Sequence, residues 1–225
     1  MEYERVGDFL IKNGCYLCKI SSTKFDRDSY ELAQKILTER RDQYRKARPL
    51  LLPLMRGGSR PFLHNSGSFK KVLKIDSKDK DIDYIPIKIS RYQSGEIDQE
   101  SEIRIDEMDI AQAVIALRDH EEGILLDDVL DRGLTADMIK NRLSISGRNI
   151  LVATVYRKPE ANQTSTNADY WVEDYFRKEI GCVLRPPWLV FPWEIDDHSR
   201  ELWELLFPEF NGTHPELAWS ANANR

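Results

Sequence analysis

A chain of 225 residues with 41% hydrophobic and 10% aromatic content carries enough apolar material for one large core or two small ones. Its 32% charged residues, mean hydropathy of -0.54 and short apolar runs exclude a membrane-spanning helix, which needs roughly 20 consecutive apolar residues. The net charge of -5 leaves no overall attraction to polyanions, so any such attraction has to be local.

Read in chain order, "ERVGDFLIKNGCYLCKISS" predicts either a hairpin turning on Asn13-Gly14 or a short helix ended by Gly14 and followed by a strand, and the hairpin is the better fit. Asp28 precedes Ser29-Tyr30-Glu31 in a capping-box arrangement, and Tyr30, Ala33, Ile36, Leu37 and Tyr44 recur at helical spacing. These features predict a helix from Ser29 to Ala47, stopped by Pro49. Beyond a loop lie three predicted strands, "FKKVLKI", "DYIPIKISRY" and "SEIRID"; Pro86 marks the second as an edge strand or a bulge. A helix from Glu107 to Asp119, capped by Asp106, follows. "LLDDVLDRG" and "TADMIKNRLS" read as two short helices, the second capped by Thr135. The last third reads as a strand "NILVATVY", a polar loop "KPEANQTSTN" and an amphipathic helix from Ala168 to Ile180. A proline-broken apolar segment with Trp188, Phe191 and Trp193 and a helix after Asp197 complete the chain. Strands and helices do not alternate strictly, so the expected class is α+β: a mixed or antiparallel sheet with flanking helices and a helix-turn-helix-like subdomain. One compact domain over 1–225 is expected. An internal division near 94–100 would separate a helix and sheet with a basic arm, 1–95, from a helical subdomain and C-terminal lid, 101–225.

Charge is distributed unevenly. Arg40 to Lys74 holds ten Lys or Arg against one acid, a local charge of +9, whereas Asp76 to Asp137 holds eighteen acids against seven bases, a local charge of -11. The two blocks either neutralise each other across the fold or leave a basic arm for a polyanion. Within "RGGSRPFLHNSGSFKK", Gly57 and Gly58 let the backbone curl around an anion, and Arg56 and Arg60 each offer two parallel donors to a phosphate. The GxxxxGK[ST] phosphate-loop spacing is absent. Candidate anion contacts are therefore Arg45, Lys46, Arg48, Arg56, Gly57, Gly58, Arg60, Lys70 and Lys71.

Other constellations are thinner. Leu125 to Ser144 has helix-turn-helix rhythm, but Asp127, Asp128, Asp131 and Asp137 would repel DNA. Asp83 with Glu102 loosely resembles the carboxylate pair of a metal-dependent nuclease. Cys15 and Cys18 supply half a zinc site at most, and on a strand they point to opposite faces, so no metal or cofactor is expected. Three cysteines and the lack of a basic region followed by an apolar one near the N-terminus place the protein in the cytoplasm.

The sequence thus leads to the expectation of a non-catalytic binding component of a nucleic-acid-associated assembly. It would contact nucleic acid or another polyanion through the basic arm, meet a protein partner and leave membranes alone. A nuclease or related hydrolase using Asp83 and Glu102, or an interaction factor with an acidic partner, is the alternative.

Overall fold

A computed structural model of the protein describes residues 3–56, 83–92, 102–191 and 206. In chain order its elements are β1 (Glu4–Val6), β2 (Phe9–Lys12), β3 (Cys15–Lys19), α1 (Ser22–Lys46), β4 (Leu50–Arg56), β5 (Ile87–Tyr92), β6 (Glu102–Ile105) and α2 (Glu107–Ala116). There follow β7 (Glu122–Leu130), α3 (Leu134–Leu143), β8 (Asn149–Arg157), β9 (Glu173–Asp174), β10 (Lys178–Ile180), β11 (Val183–Arg185) and β12 (Pro187–Val190). The chain divides into two units, Met1–Lys24 with Arg177–Arg225, and Phe25–Phe176.

The smaller unit holds a four-stranded sheet in the order β1-β2-β3-β12 and the β10-β11 hairpin. The hairpin expected at Asn13-Gly14 is present: both residues have positive φ, 51° and 77°, as the tight turn between antiparallel β2 and β3 requires. Lysines lie over aromatic rings on this sheet. Lys12, only 2% exposed, places its ammonium 5.2 Å from the ring centre of Trp188, and Lys178 sits 5.2 Å from that of Tyr16. Neither Cys15 nor Cys18 is in a disulfide.

The larger unit is built on a six-stranded sheet in the order β6-β5-β4-β7-β8-β9. All neighbours are parallel except β5 and β6. The expectation of a mixed sheet with flanking helices therefore holds, while its core is parallel. Ile124, Leu125 and Leu126 of β7 are each no more than 2% exposed, because both faces of the sheet are covered. That double burial explains one correction. "LLDDVLDRG" is not the first helix of a helix-turn-helix but mostly strand: apolar pairs at 125–126 and 129–130 imitate helical spacing when a strand buries both of its faces.

Other boundaries shift for local reasons. The first helix begins at Ser22, with the Ser21 hydroxyl accepting from the Lys24 N–H at 3.2 Å, so Asp28 does not cap it. Instead Asp28 is buried and accepts from the Tyr156 hydroxyl at 2.9 Å and from the Arg27 guanidinium at 2.9 Å. β5 begins after Pro86 and lies between β4 and β6, so the proline precedes an interior strand rather than marking an edge. Asp106 caps α2 as expected, accepting from the Met108 N–H at 2.9 Å. The helix expected over Ala168 to Ile180 is extended chain. Its aromatic and β-branched residues run beside β8, with the Val172 N–H donating to Val155 at 3.1 Å and the Tyr175 N–H to Arg157 at 2.8 Å. "FKKVLKI" and the helix expected just after Asp197 lie outside the described residues. Among the described residues no helix is long and apolar enough to cross a membrane.

Candidate functional site

Taken in chain order, the five parallel strands of the larger unit, β4, β5, β7, β8 and β9, lie in the spatial order 2-1-3-4-5. Chain direction across the sheet reverses between β4 and β7. In an open α/β sheet the carboxyl ends of the strands at such a switch point form the ligand crevice. What stands there is chemically distinctive. β7 runs from a buried apolar stretch into Asp127-Asp128, and the loop Asp131-Arg132-Gly133 then turns directly into α3. Asp127 is buried and Asp128 half-buried. Pro53 of β4 pairs with Leu126 of β7, so β4 reaches the same edge and ends there at Arg56.

Gly133 is the N-cap of α3, with φ +79° and no side-chain cap. The expectation that Thr135 caps this helix is corrected: it lies in the first turn, 6% exposed. Asp137, the other first-turn candidate, has its Oδ1 engaged by the Thr166 hydroxyl at 2.6 Å. The opening N–H groups of α3 consequently have no side-chain cap and face a recess of about 50 Å³ lined by Asp127, Leu130, Asp131, Arg132 and Thr135. Unsatisfied N–H groups and the positive end of the helix dipole are the features with which helices bind phosphate.

The loop is braced from one side. Lys158, just past β8, donates through its ammonium to Asp131 at 3.0 Å and through its N–H to the Leu130 carbonyl at 3.0 Å, while the Gln163 N–H donates to the Arg132 carbonyl at 2.9 Å. A Cβ at Gly133 would stand 2.5 Å from the Thr164 hydroxyl and 2.6 Å from the Asn162 amide oxygen. Glycine is therefore demanded twice, by conformation and by space. The result is a recess of fixed shape at a helix start, lined by the carboxylate-bearing Asp127 and Asp131.

Of the positions expected from sequence, Arg56 ends β4 at this same edge, and the other described ones lie elsewhere. Asp83 precedes β5, where its carbonyl accepts from the Leu51 N–H at 3.0 Å, and its carboxylate lies 3.5 Å from His120. Glu102 pairs with Tyr92, at the far end of β5. The length of β5 alone, at about 3.3 Å per residue, holds the two positions roughly 16 Å apart, so they do not share an ion. Among the described residues no group of three metal-capable side chains gathers. Arg45 and Lys46 are in the last turn of α1, and the Arg48 carbonyl lies 3.0 Å from the His120 ring. Arg56 ends β4; Gly57, Gly58, Arg60, Lys70 and Lys71 lie outside the described residues. Sequence reasoning missed Asp127, Asp128, Arg132 and Gly133 as a site. The available signal was order: an apolar run, two acids, a glycine and then a helix start.

No family model matches the chain, and no curated protein matches it. Solved structures do. It is similar to a hypoxanthine phosphoribosyltransferase from Trypanosoma cruzi, with 14% identity over 80% of this chain and 83% of that one, TM-score 0.48. The corresponding enzyme from Staphylococcus aureus shows 15% identity over 68% of this chain and 76% of that one, TM-score 0.46. A hypoxanthine-guanine phosphoribosyltransferase from Bacillus anthracis shows 16% identity over 76% and 84%, TM-score 0.43. At these values the likeness assigns no residue of this chain a role. The expectation of a nucleic-acid-binding subunit of an assembly is nonetheless corrected: the solved structures that the chain resembles are named hypoxanthine phosphoribosyltransferases, not nucleic-acid-binding proteins. The sheet brings the end of β4, Arg56, to the edge where the acids of β7 stand, a meeting that linear charge counting does not show.

Proposed function

We propose that this protein is an enzyme of nucleotide metabolism that binds a phosphorylated ribose, with the phosphate on the first turn of α3 and the sugar hydroxyls on Asp127 and Asp128. The observation that carries this reading is the Gly133 cap: a helix start without a side-chain cap, opening on a recess lined by Asp127 at the switch point of a parallel sheet. An anion alone would need only the helix start and Arg132. The adjoining carboxylates repel a bare anion and favour a ligand that also presents hydroxyl donors, which a ribose phosphate does. Group transfer at the ribose, the reaction in the names of the similar solved structures, is the chemistry such a site serves.

Calorimetry with ribose 5-phosphate, ribose and inorganic phosphate tests this. Ribose 5-phosphate is expected to bind at least about tenfold more tightly than either part, a gain of about 1.4 kcal/mol. Asp128→Asn is expected to weaken ribose 5-phosphate binding more than phosphate binding. Equal affinity for phosphate and ribose 5-phosphate, or no binding of either, would overturn the reading.

A further inference from the structure

The turn that opens α3 is held at both of its ends by one short loop from elsewhere in the chain. Just before Gly133, the Arg132 carbonyl accepts from the Gln163 N–H at 2.9 Å. One helical turn after it, Asp137 Oδ1 accepts from the Thr166 hydroxyl at 2.6 Å. Asp137 is also the residue whose own N–H closes the first turn of the helix, donating to the Gly133 carbonyl at 2.9 Å. A loop can hold a neighbour in shape only if its own backbone is held, since a free backbone resists ordering through its conformational entropy.

Asn162 supplies that hold. Its amide oxygen accepts from the Thr164 N–H at 3.0 Å and from the Thr164 hydroxyl at 3.3 Å. Its amide nitrogen donates to the Thr166 carbonyl at 3.0 Å and to the Asn167 side-chain oxygen at 3.1 Å. One amide offers two lone pairs and two N–H groups, so Asn162 uses its whole hydrogen-bonding capacity on the loop. The same amide oxygen stands against the glycine, 2.6 Å from where a Cβ at 133 would lie.

Thr166 is 8% exposed, so water is a poor substitute for its bond to Asp137. Asn141 Nδ2 donates to the other oxygen of Asp137 at 3.2 Å. Held by both oxygens, the carboxylate stays on the flank of α3 and out of the recess at its start. A carboxylate released towards that recess would oppose an entering anion.

We propose that Asn162 and Thr166 are positioning residues for the phosphate subsite at the start of α3. Asn162 sets the loop, and the Thr166 hydroxyl sets the first helical turn and turns the Asp137 carboxylate aside. The proposal rests on the reading of the recess as a phosphate site.

Three variants of the full chain test it: Asn162→Ala, Thr166→Val, which keeps the side-chain shape without the hydroxyl, and Thr166→Ser, which keeps the hydroxyl. Calorimetry with ribose 5-phosphate is run at a temperature where circular dichroism shows every variant folded. Asn162→Ala and Thr166→Val are each expected to bind at least about tenfold more weakly than wild type, and Thr166→Ser within about twofold of it. Hydrogen exchange of the Asp137 amide, read by NMR in the free protein, should be faster in the first two variants and unchanged in Thr166→Ser. Wild-type affinity in Asn162→Ala and Thr166→Val, or a Thr166→Ser variant as weak as Thr166→Val, would overturn the proposal. A wild type that binds no ribose 5-phosphate sinks the reading of the recess instead. The exchange measurement then decides the clamp by itself, and unchanged Asp137 exchange in Thr166→Val would refute it.

Discussion

The ammonium of Lys158 lies 3.0 Å from the carboxylate of Asp131 and so ties the end of β8 to the loop that opens α3. Lys158 is 12% exposed and Asp131 46%, so the pair is partly shielded from solvent at the lip of the recess. An unpaired carboxylate at that point would oppose any anion entering the recess.

Removing the lysine therefore has a specific expected consequence. Lys158→Ala should weaken ribose 5-phosphate binding by about tenfold, most strongly at low salt, where an uncompensated charge is least screened. Adding Asp131→Asn should recover most of the loss by removing the repelling charge. Calorimetry on the two single variants and the double variant measures the coupling. A double variant no better than Lys158→Ala would show that the pair acts only by holding the loop.

Gly133→Ala should be costly in both stability and binding. A left-handed alanine costs about 1–2 kcal/mol, and the new Cβ meets the Thr164 hydroxyl and the Asn162 amide besides. For a unit of this size that cost alone lowers the transition by about 2–8 °C. The opening N–H groups of α3 would turn with the cap, so phosphate affinity should drop too. Scanning calorimetry with and without ribose 5-phosphate checks both.

Stability should decline in alkali. Burial, and secondarily the neighbouring Asp28 carboxylate, raises the Tyr156 phenol above its ordinary range. Tyr44 is raised in the same direction, first by burial and then by Glu122. The folded state thus keeps both protons at a pH where the unfolded chain gives them up. Their contribution is fully present below about pH 10 and is lost as pH rises beyond it. Tyr156→Phe should flatten that decline. At neutral pH the same variant should cost about 1–3 kcal/mol, because buried Asp28 loses a donor. Denaturant titrations at pH 7 and pH 11 measure both effects.

Ile36 on α1 is fully buried, and Ile36→Asp should destabilise the larger unit by several kcal/mol by placing an unpaired charge in its core. An unchanged melting temperature would refute the packing of α1 described above.

Where a structure is decided by a few adjacent residues, it was legible. Asn13-Gly14 supplies the two positive φ angles of a tight turn, Asp106 caps α2, and the spacing of Ala33, Ile36 and Tyr44 points one face of α1 inward. Each of these depends on conformational preferences or on contacts within a turn or two of chain. "NILVATVY" was legible for a related reason, since a β-branched apolar run of that length favours a strand wherever it pairs.

Strand partners, and with them the site, were decided only in the tertiary structure. Nothing local in Ile124, Leu125 and Leu126 tells a strand covered on both faces from a buried helix; the pairing of β7 with β4 and β8 settles it. That pairing sets Asp127 and Asp128 at a sheet edge rather than on a helix facing DNA, and it brings the end of β4 beside them. Sequence alone determined the Asn13-Gly14 turn, the Asp106 cap and the inward face of α1, because short-range sterics and hydrogen bonds suffice for those. The parallel order of the sheet, the brace from Lys158 to Asp131 and the demand for glycine at 133 came from residues far apart in the chain, whose meeting only the packed core dictates.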